Sequence, residues 1–190
     1  MTVLIVYSTT EGQTHLIAER MAAFASEAGW EARLTPVESA WRHSFYPSAD
    51  AVIVAASIHV GKHSPDVVEF VAANRDRLES MPSAFVSVSL SADARKLIAE
   101  AYVADFLTQT GWAPAVTGTV AGALRYSQYG MFKRLIVKRV AGKEGLPTDV
   151  SRDYEFTNWE DVRRLTIDLL QKASETSIEY DSPNCSVAWR

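Results

Sequence analysis

The chain has 190 residues, 47% hydrophobic and 22% charged, with a net charge of −4. That is enough chain for a single well-buried core, and the charge is too mild to imply any partner; no nucleic-acid partner is expected. Cys185 is the single cysteine, which excludes an intrachain disulfide and is compatible with a reducing compartment. No apolar run is long enough to span a bilayer, and Val3 to Val6 is too short for a signal segment. A cytoplasmic protein is expected, with peripheral attachment to the inner face of the cell membrane still open.

Taken in chain order, apolar runs alternate with amphipathic stretches, the pattern of a parallel sheet covered on both faces. Thr2 to Tyr7 is rich in β-branched residues and reads as a central strand. Leu16, Ile17, Met21 and Phe24 follow at helical spacing up to Gly29, a C′ glycine. Glu31 to Thr35 is a shorter strand nearer the edge, and Ala51 to Ala56 is a buried one. Ser64 and Pro65 predict an N-cap and N1 for a helix carrying Val67, Val68 and Val71.

Ala84 to Leu90 is the fourth strand, Asp93 to about Thr110 a helix ending before Gly111, and Ala115 to Ala121 the fifth strand. Thr157 and Glu160 have the spacing of a capping box for a last helix with Val162, Leu165, Leu169 and Leu170. The expected fold is therefore α/β, a doubly wound five-stranded parallel sheet of order 2-1-3-4-5, with its ligand crevice at the carboxyl ends of strands one and three. Residues 1–173 form the domain, with an insertion at about 123–153. Residues 174–190 are expected to be a polar, poorly ordered tail.

The turn after the first strand reads Ser8-Thr9-Thr10-Glu11-Gly12-Gln13-Thr14. Its hydroxyls, its glycine and the amides of the following helix N-terminus can surround a phosphate with neutral donors. The lysine of a P-loop is missing, as is the G-x-G-x-x-G of a dinucleotide site. S-T-x-x-G-x-T after an N-terminal strand resembles the FMN phosphate loop of flavodoxins. The resemblance implies FMN as cofactor, with Ser8, Thr10, Gly12, Gln13 and Thr14 contacting the phosphate and Thr9 and Glu11 within the same loop.

In such proteins the loop after the third strand lies against the flavin ring. This places Ser57, Ile58, His59 and Gly61 beside it, with His59 either a stacking ring or a surface residue. A metal pair of His59 and His63 is disfavoured, because Pro65 starts the helix after both and no third ligand is near. Ser87, Val88 and Ser89 end strand four and approach the polar edge of the flavin, while Gly122 and Ala123 close strand five with small residues.

From Arg125 to Lys143 there are six basic residues and no acidic one, a local reversal of charge. On a helix, Tyr129, Phe132, Ile136 and Val140 would form one apolar stripe, with Arg134 and Lys138 pointing the opposite way. Such a segment can pack on the domain, lie on an anionic membrane surface or embrace an acidic amphiphile. G-A-L-R-Y-x-x-Y, this basic-aromatic stretch, Tyr154 to Trp159, Ala56 to Gly61 and Ser80 to Ser89 together resemble the flavodoxin-like, quinone-dependent protoporphyrinogen oxidases, over about residues 2 to 172. Departures are the stretch from Asp93 to Ala99, shorter than the family's usual loop, and the tail.

That resemblance implies oxidation of protoporphyrinogen IX to protoporphyrin IX, a step of haem biosynthesis, with electrons passing through FMN to menaquinone or ubiquinone. No catalytic acid or base and no metal is assigned. Arg125, Lys133 and Arg134 are expected to meet substrate propionates or lipid phosphates, and Tyr126, Tyr129 and Phe132 the tetrapyrrole or quinone. A homo-oligomer stays open. The competing readings are an electron-carrier flavodoxin, disfavoured by the basic insertion, an NAD(P)H:quinone reductase of the same fold, and a binding protein that has lost its flavin.

Overall fold

The computed structural model describes residues 1–40, 49–143 and 145–181. Five strands, β1 (Thr2–Ser8), β2 (Glu31–Pro36), β3 (Ala51–Ser57), β4 (Ser83–Ser89) and β5 (Val116–Ala121), form one parallel sheet of order β2-β1-β3-β4-β5. The expected order and class hold. Near-continuous apolar runs make β1, β3 and β4 the middle of the sheet, where both faces are covered. β2 stands at the edge and is only half-buried.

One face is covered by α1 (Gln13–Glu27) and the last helix, packed on Ile5, Ile53, Val86 and Val120. The other carries α2 (Val37–Ala40), α3 (Pro65–Ala73), α4 (Arg75–Glu79) and α6 (Lys96–Thr110) over Leu4, Val54, Phe85 and Trp112. Gly29 follows α1 at a φ of 83°, as its C′ position requires. At Gly118 on β5 a Cβ would stand 2.5 Å from Leu165 Cδ1, so the absent side chain is what lets the last helix lie close to the sheet.

The helix expected over 93–110 is two pieces, α5 (Ser91–Ala94) and α6, parted at Arg95 with φ −141° and ψ 66°. No glycine or proline marks the break. The buried face begins only at Ala99 and continues through Val103 and Phe106, leaving Leu97 83% exposed outside it.

Beyond β5 the chain makes β6 (Ala123–Leu124), a 3-10 turn at Tyr126–Gln128, α7 (Met131–Lys143) and β7 (Tyr154–Glu155), which returns antiparallel to β6. This insertion has a small core of its own, from Leu124, Tyr126, Tyr129, Ala141 and Leu146. The last helix, α8 (Trp159–Asp181), differs from expectation at both ends. Its cap is Asn158, whose Oδ1 accepts from the amides of Glu160 (3.0 Å) and Asp161 (3.4 Å). At its other end it runs on through Ser174 to Asp181, where a tail was expected. Residues 182–190, the rest of that tail, lie outside the described residues, as do the side chains of Lys133, Val140 and Lys143.

Candidate functional site

Strand register brings the expected site residues to one edge of the sheet. Ser8 is paired with Ala56, Ala56 with Ser87, Ser57 with Val88, and Ser89 with Ala121. Across these ends Ile58 N donates to the carbonyl of Val88 (2.8 Å), and Gly122 N to that of Ser89 (3.2 Å). These carboxyl ends lie beside the loop after β1, the place where a doubly wound order predicts the ligand crevice.

That loop is shaped by its own side chains. Gly12 stands at the N-cap of α1 with φ 85°, a conformation that costs an L residue about 1 kcal/mol. Its amide donates to Thr9 Oγ1 at 3.0 Å. No side chain caps α1, so the amides of its first turn face the loop. Thr14 Oγ1 is buried and has no hydrogen-bond partner among the described residues. A buried hydroxyl left unmatched costs about 1–3 kcal/mol, and a bound oxyanion at this helix N-terminus would satisfy it. The loop therefore fits a phosphate by shape, by dipole and by an unmet hydrogen bond. Ser89 Oγ, at the end of β4, is a second buried hydroxyl without a partner.

Other expected contacts are committed elsewhere. Ser87 Oγ lies 3.0 Å from His63 Nε2, on the side of the sheet facing α3 and α6. His63 is wedged edge-on against Phe85 and Phe106, and burial lowers its pKa to about 4, so the ring is neutral. It forms one wall of a cleft of about 310 Å3 with Lys62, Pro65, Tyr102 and Phe106. His59 is exposed, in a tight turn closed by its bridge to Lys62, and Val60 in that turn has φ 50°, an outlier for a β-branched residue. At Gly122 a Cβ would meet Val88 Cγ1 at 3.6 Å, an ordinary contact, and Ala123 is buried within β6.

The insertion is arranged differently from the single stripe read in the sequence. Tyr126 is fully buried, its hydroxyl donating to the carbonyl of Pro147 (3.0 Å). Tyr129 precedes α7 and is 5% exposed, its hydroxyl donating to Glu11 Oε2. Neither ring presents the open face expected for a tetrapyrrole, because both pack inside the small core of the insertion. Arg134 is on the inner side of α7, where its Nε donates to the carbonyl of Tyr126 (3.2 Å), instead of pointing away. The outer side carries Met131 (87% exposed), Phe132 (88%), Leu135 (68%) and Ile136 (63%), with Lys138 and Arg139 also exposed.

Arg125 turns back to the phosphate loop. Its Nη2 donates to Gln13 Oε1 (2.8 Å) and pairs with Glu155 Oε2 (3.3 Å). Gln13 Nε2 in turn donates to Thr157 Oγ1 (2.9 Å), which donates to the carbonyl of Ala121 (2.8 Å). Thr157, expected as a cap, thus joins the loop to the end of β5. Ser64, also expected as a cap, makes no such bond, and its hydroxyl faces that of Ser8 at 3.0 Å. Ser64 does stand at the N-cap position with Pro65 opening α3, as expected, but spacing alone does not separate a capping hydroxyl from one that reaches across the fold. His63 gave no signal in the sequence, where Lys62 and Ser64 flank it, because Phe85 and Phe106 reach it only through the fold.

A family model described as a flavodoxin domain matches residues 4–151. The protoporphyrinogen IX dehydrogenase (quinone) of Escherichia coli (strain K12) is 36% identical over 169 residues, spanning 85% of this chain and 91% of that protein. The protein of the same name from Leishmania major is 33% identical over 171 residues, spanning 87% of this chain and 73% of its own length. Among solved structures, flavodoxin 1 from Bacillus cereus is similar in fold, with a TM-score of 0.51 at 14% identity over 90% of this chain and 98% of that one. By the span and level of these matches, the chain belongs to the flavodoxin-domain family and, within it, to the quinone-dependent protoporphyrinogen IX dehydrogenases.

Proposed function

We propose that this protein binds FMN at the loop from Ser8 to Thr14 and oxidises protoporphyrinogen IX to protoporphyrin IX, a step of haem biosynthesis, with menaquinone or ubiquinone as electron acceptor. The observation that carries the reading is the unmatched, buried Thr14 hydroxyl at the head of α1, in a chain whose relatives bear that enzyme's name. When bound, the cofactor supplies acceptance of a hydride equivalent and release of its electrons to the quinone. The chain's own part is to bind and orient. Ser8, Thr10 and Thr14 offer hydroxyls to the phosphate, with the first amides of α1. The segments Ser57 to Gly61 and Ser87 to Ser89, with Gly122, flank the ring. No side chain is assigned as acid or base.

Arg134 and Lys133 on α7 are the proposed partners of substrate propionates. The same helix supports peripheral contact with an anionic membrane. Its outer face joins four exposed apolar side chains to Lys138 and Arg139, the composition of a helix that lies in a headgroup layer. Among the described residues no helix is long and apolar enough to cross a membrane.

The test is anaerobic. FMN-loaded protein is mixed with protoporphyrinogen IX, with and without a quinone analogue, while porphyrin fluorescence is followed. Quinone-dependent porphyrin formation is expected. Reduction by NAD(P)H without porphyrinogen turnover would move the assignment to a quinone reductase of this fold. For the membrane contact, the protein is sedimented with vesicles of anionic or of zwitterionic lipid. Retention by anionic vesicles, lost in a Phe132→Ser, Leu135→Ser variant, is expected, and equal recovery of both proteins in the supernatant refutes it.

A further inference from the structure

The inserted segment holds the phosphate loop from outside at two points. At the first, the Tyr129 hydroxyl donates to the Glu11 carboxylate and itself accepts from the amide of Arg125 at 3.2 Å. At the second, the Arg125 guanidinium donates to Gln13, which is 6% exposed and bonded on its other side to Thr157. Glu11 and Gln13 flank Gly12, the residue whose left-handed backbone turns the loop into α1. These outside bonds add to the loop's own bond from the Gly12 amide to Thr9 Oγ1 in holding its shape.

From this we infer that Tyr129 and Arg125 are positioning residues for the cofactor phosphate: the insertion clamps the phosphate loop and thereby sets the affinity for FMN. The inference rests on the FMN reading above. Its physical need is evident in the sequence of the loop. A carboxylate beside a phosphate site repels the ligand unless it is drawn aside and given a donor of its own. Tyr129 supplies that donor from a ring locked in the insertion's core, 5.9 Å edge-on from Tyr126. Burial, and then the bond to Glu11, raise the Tyr129 pKa, so the hydroxyl keeps its proton. A loop held in its bound shape also loses less freedom when the ligand arrives.

The experiment compares two flavins. Full-length protein is stripped of flavin, and dissociation constants for FMN and for riboflavin, which lacks the phosphate, are measured by fluorescence quenching. Tyr129→Phe keeps the packed ring and removes only the hydroxyl. It is expected to weaken FMN about tenfold and to leave riboflavin unchanged. Adding Glu11→Gln to that variant removes the carboxylate charge beside the phosphate site and is expected to restore most of the FMN affinity. Arg125→Met, acting on Gln13, provides a second variant with the same expected signature. Unchanged FMN affinity in both variants overturns the clamp, as does an equal loss for both flavins, which would mark a general structural role. A wild-type protein that takes up neither flavin overturns the FMN reading itself, and the clamp with it.

Discussion

The Ser64 hydroxyl, at the start of α3, lies 3.0 Å from the Ser8 hydroxyl, at the end of β1. A residue in the N-cap position thus ties two elements together across the site and leaves its own helix uncapped by side chain. Ser64→Ala is expected to cost the roughly 0.5–1.5 kcal/mol of one net hydrogen bond. Ser8→Ala should cost a similar amount, and the two should not add in a double-mutant cycle. Urea unfolding of the three variants measures this. Full additivity would show that the two hydroxyls act separately.

The cap of α8 gives a second test, because Thr157 and Asn158 are adjacent and do different things. Asn158→Ala is expected to lower stability by about 1 kcal/mol without touching FMN affinity. Thr157→Val strands the amide of Gln13 and the carbonyl of Ala121, so it should cost roughly 1–3 kcal/mol and weaken FMN as well. Urea titrations paired with flavin binding separate the two.

His63 makes stability depend on pH. Its folded pKa of about 4 lies below the unfolded value, so the unfolded chain binds the extra proton between those values. Stability is therefore complete above about pH 6.5 and falls as pH drops toward 4. Over that window the loss approaches roughly 3 kcal/mol at most. Lys62, Glu69 and Asp105 line the same cleft, and burial of the ring is what sets the shift. His63→Gln should remove this component, seen as a flatter difference in urea midpoint between pH 7 and pH 5. Parallel curves for the two proteins would refute it.

Gly118 is a packing position. A Cβ there would lie 2.5 and 2.6 Å from the two Leu165 methyls and 3.1 Å from Leu165 Cγ. Gly118→Ala is expected to destabilise by about 1–3 kcal/mol through overpacking. In a Leu165→Ala background the same change should cost much less, because the colliding atoms are gone. Thermal or urea unfolding of the four proteins gives the coupling.

The sheet was legible because Thr2 to Tyr7, Ala51 to Ala56 and Ala84 to Leu90 are apolar runs that suit only strands buried on both faces. The phosphate loop was legible from its density of hydroxyls directly after the first of them. The insertion was visible as a run of positive charge, but its interior was not. Tyr126 and Tyr129 find their partners in Leu146, Val150 and Tyr154, which come from beyond α7, so a helical stripe drawn through Tyr129 alone could not reveal a separate core. The break at Arg95 was hidden for a related reason, since tertiary packing begins at Ala99 and nothing local stops the helix earlier.

The two-rung ladder between Ala123–Leu124 and Tyr154–Glu155 has one more implication. Leu124 faces Tyr154 directly, so the chain leaves the sheet and comes back to it through a single narrow gate. Everything between is an excursion that β5 and α8 need not accommodate in their own packing. Such an appendage can be lengthened, exchanged or cut back to a turn while the sheet keeps its register. A chimera that moves residues 125–153 onto a plain member of the fold has its splice sites already drawn at this ladder.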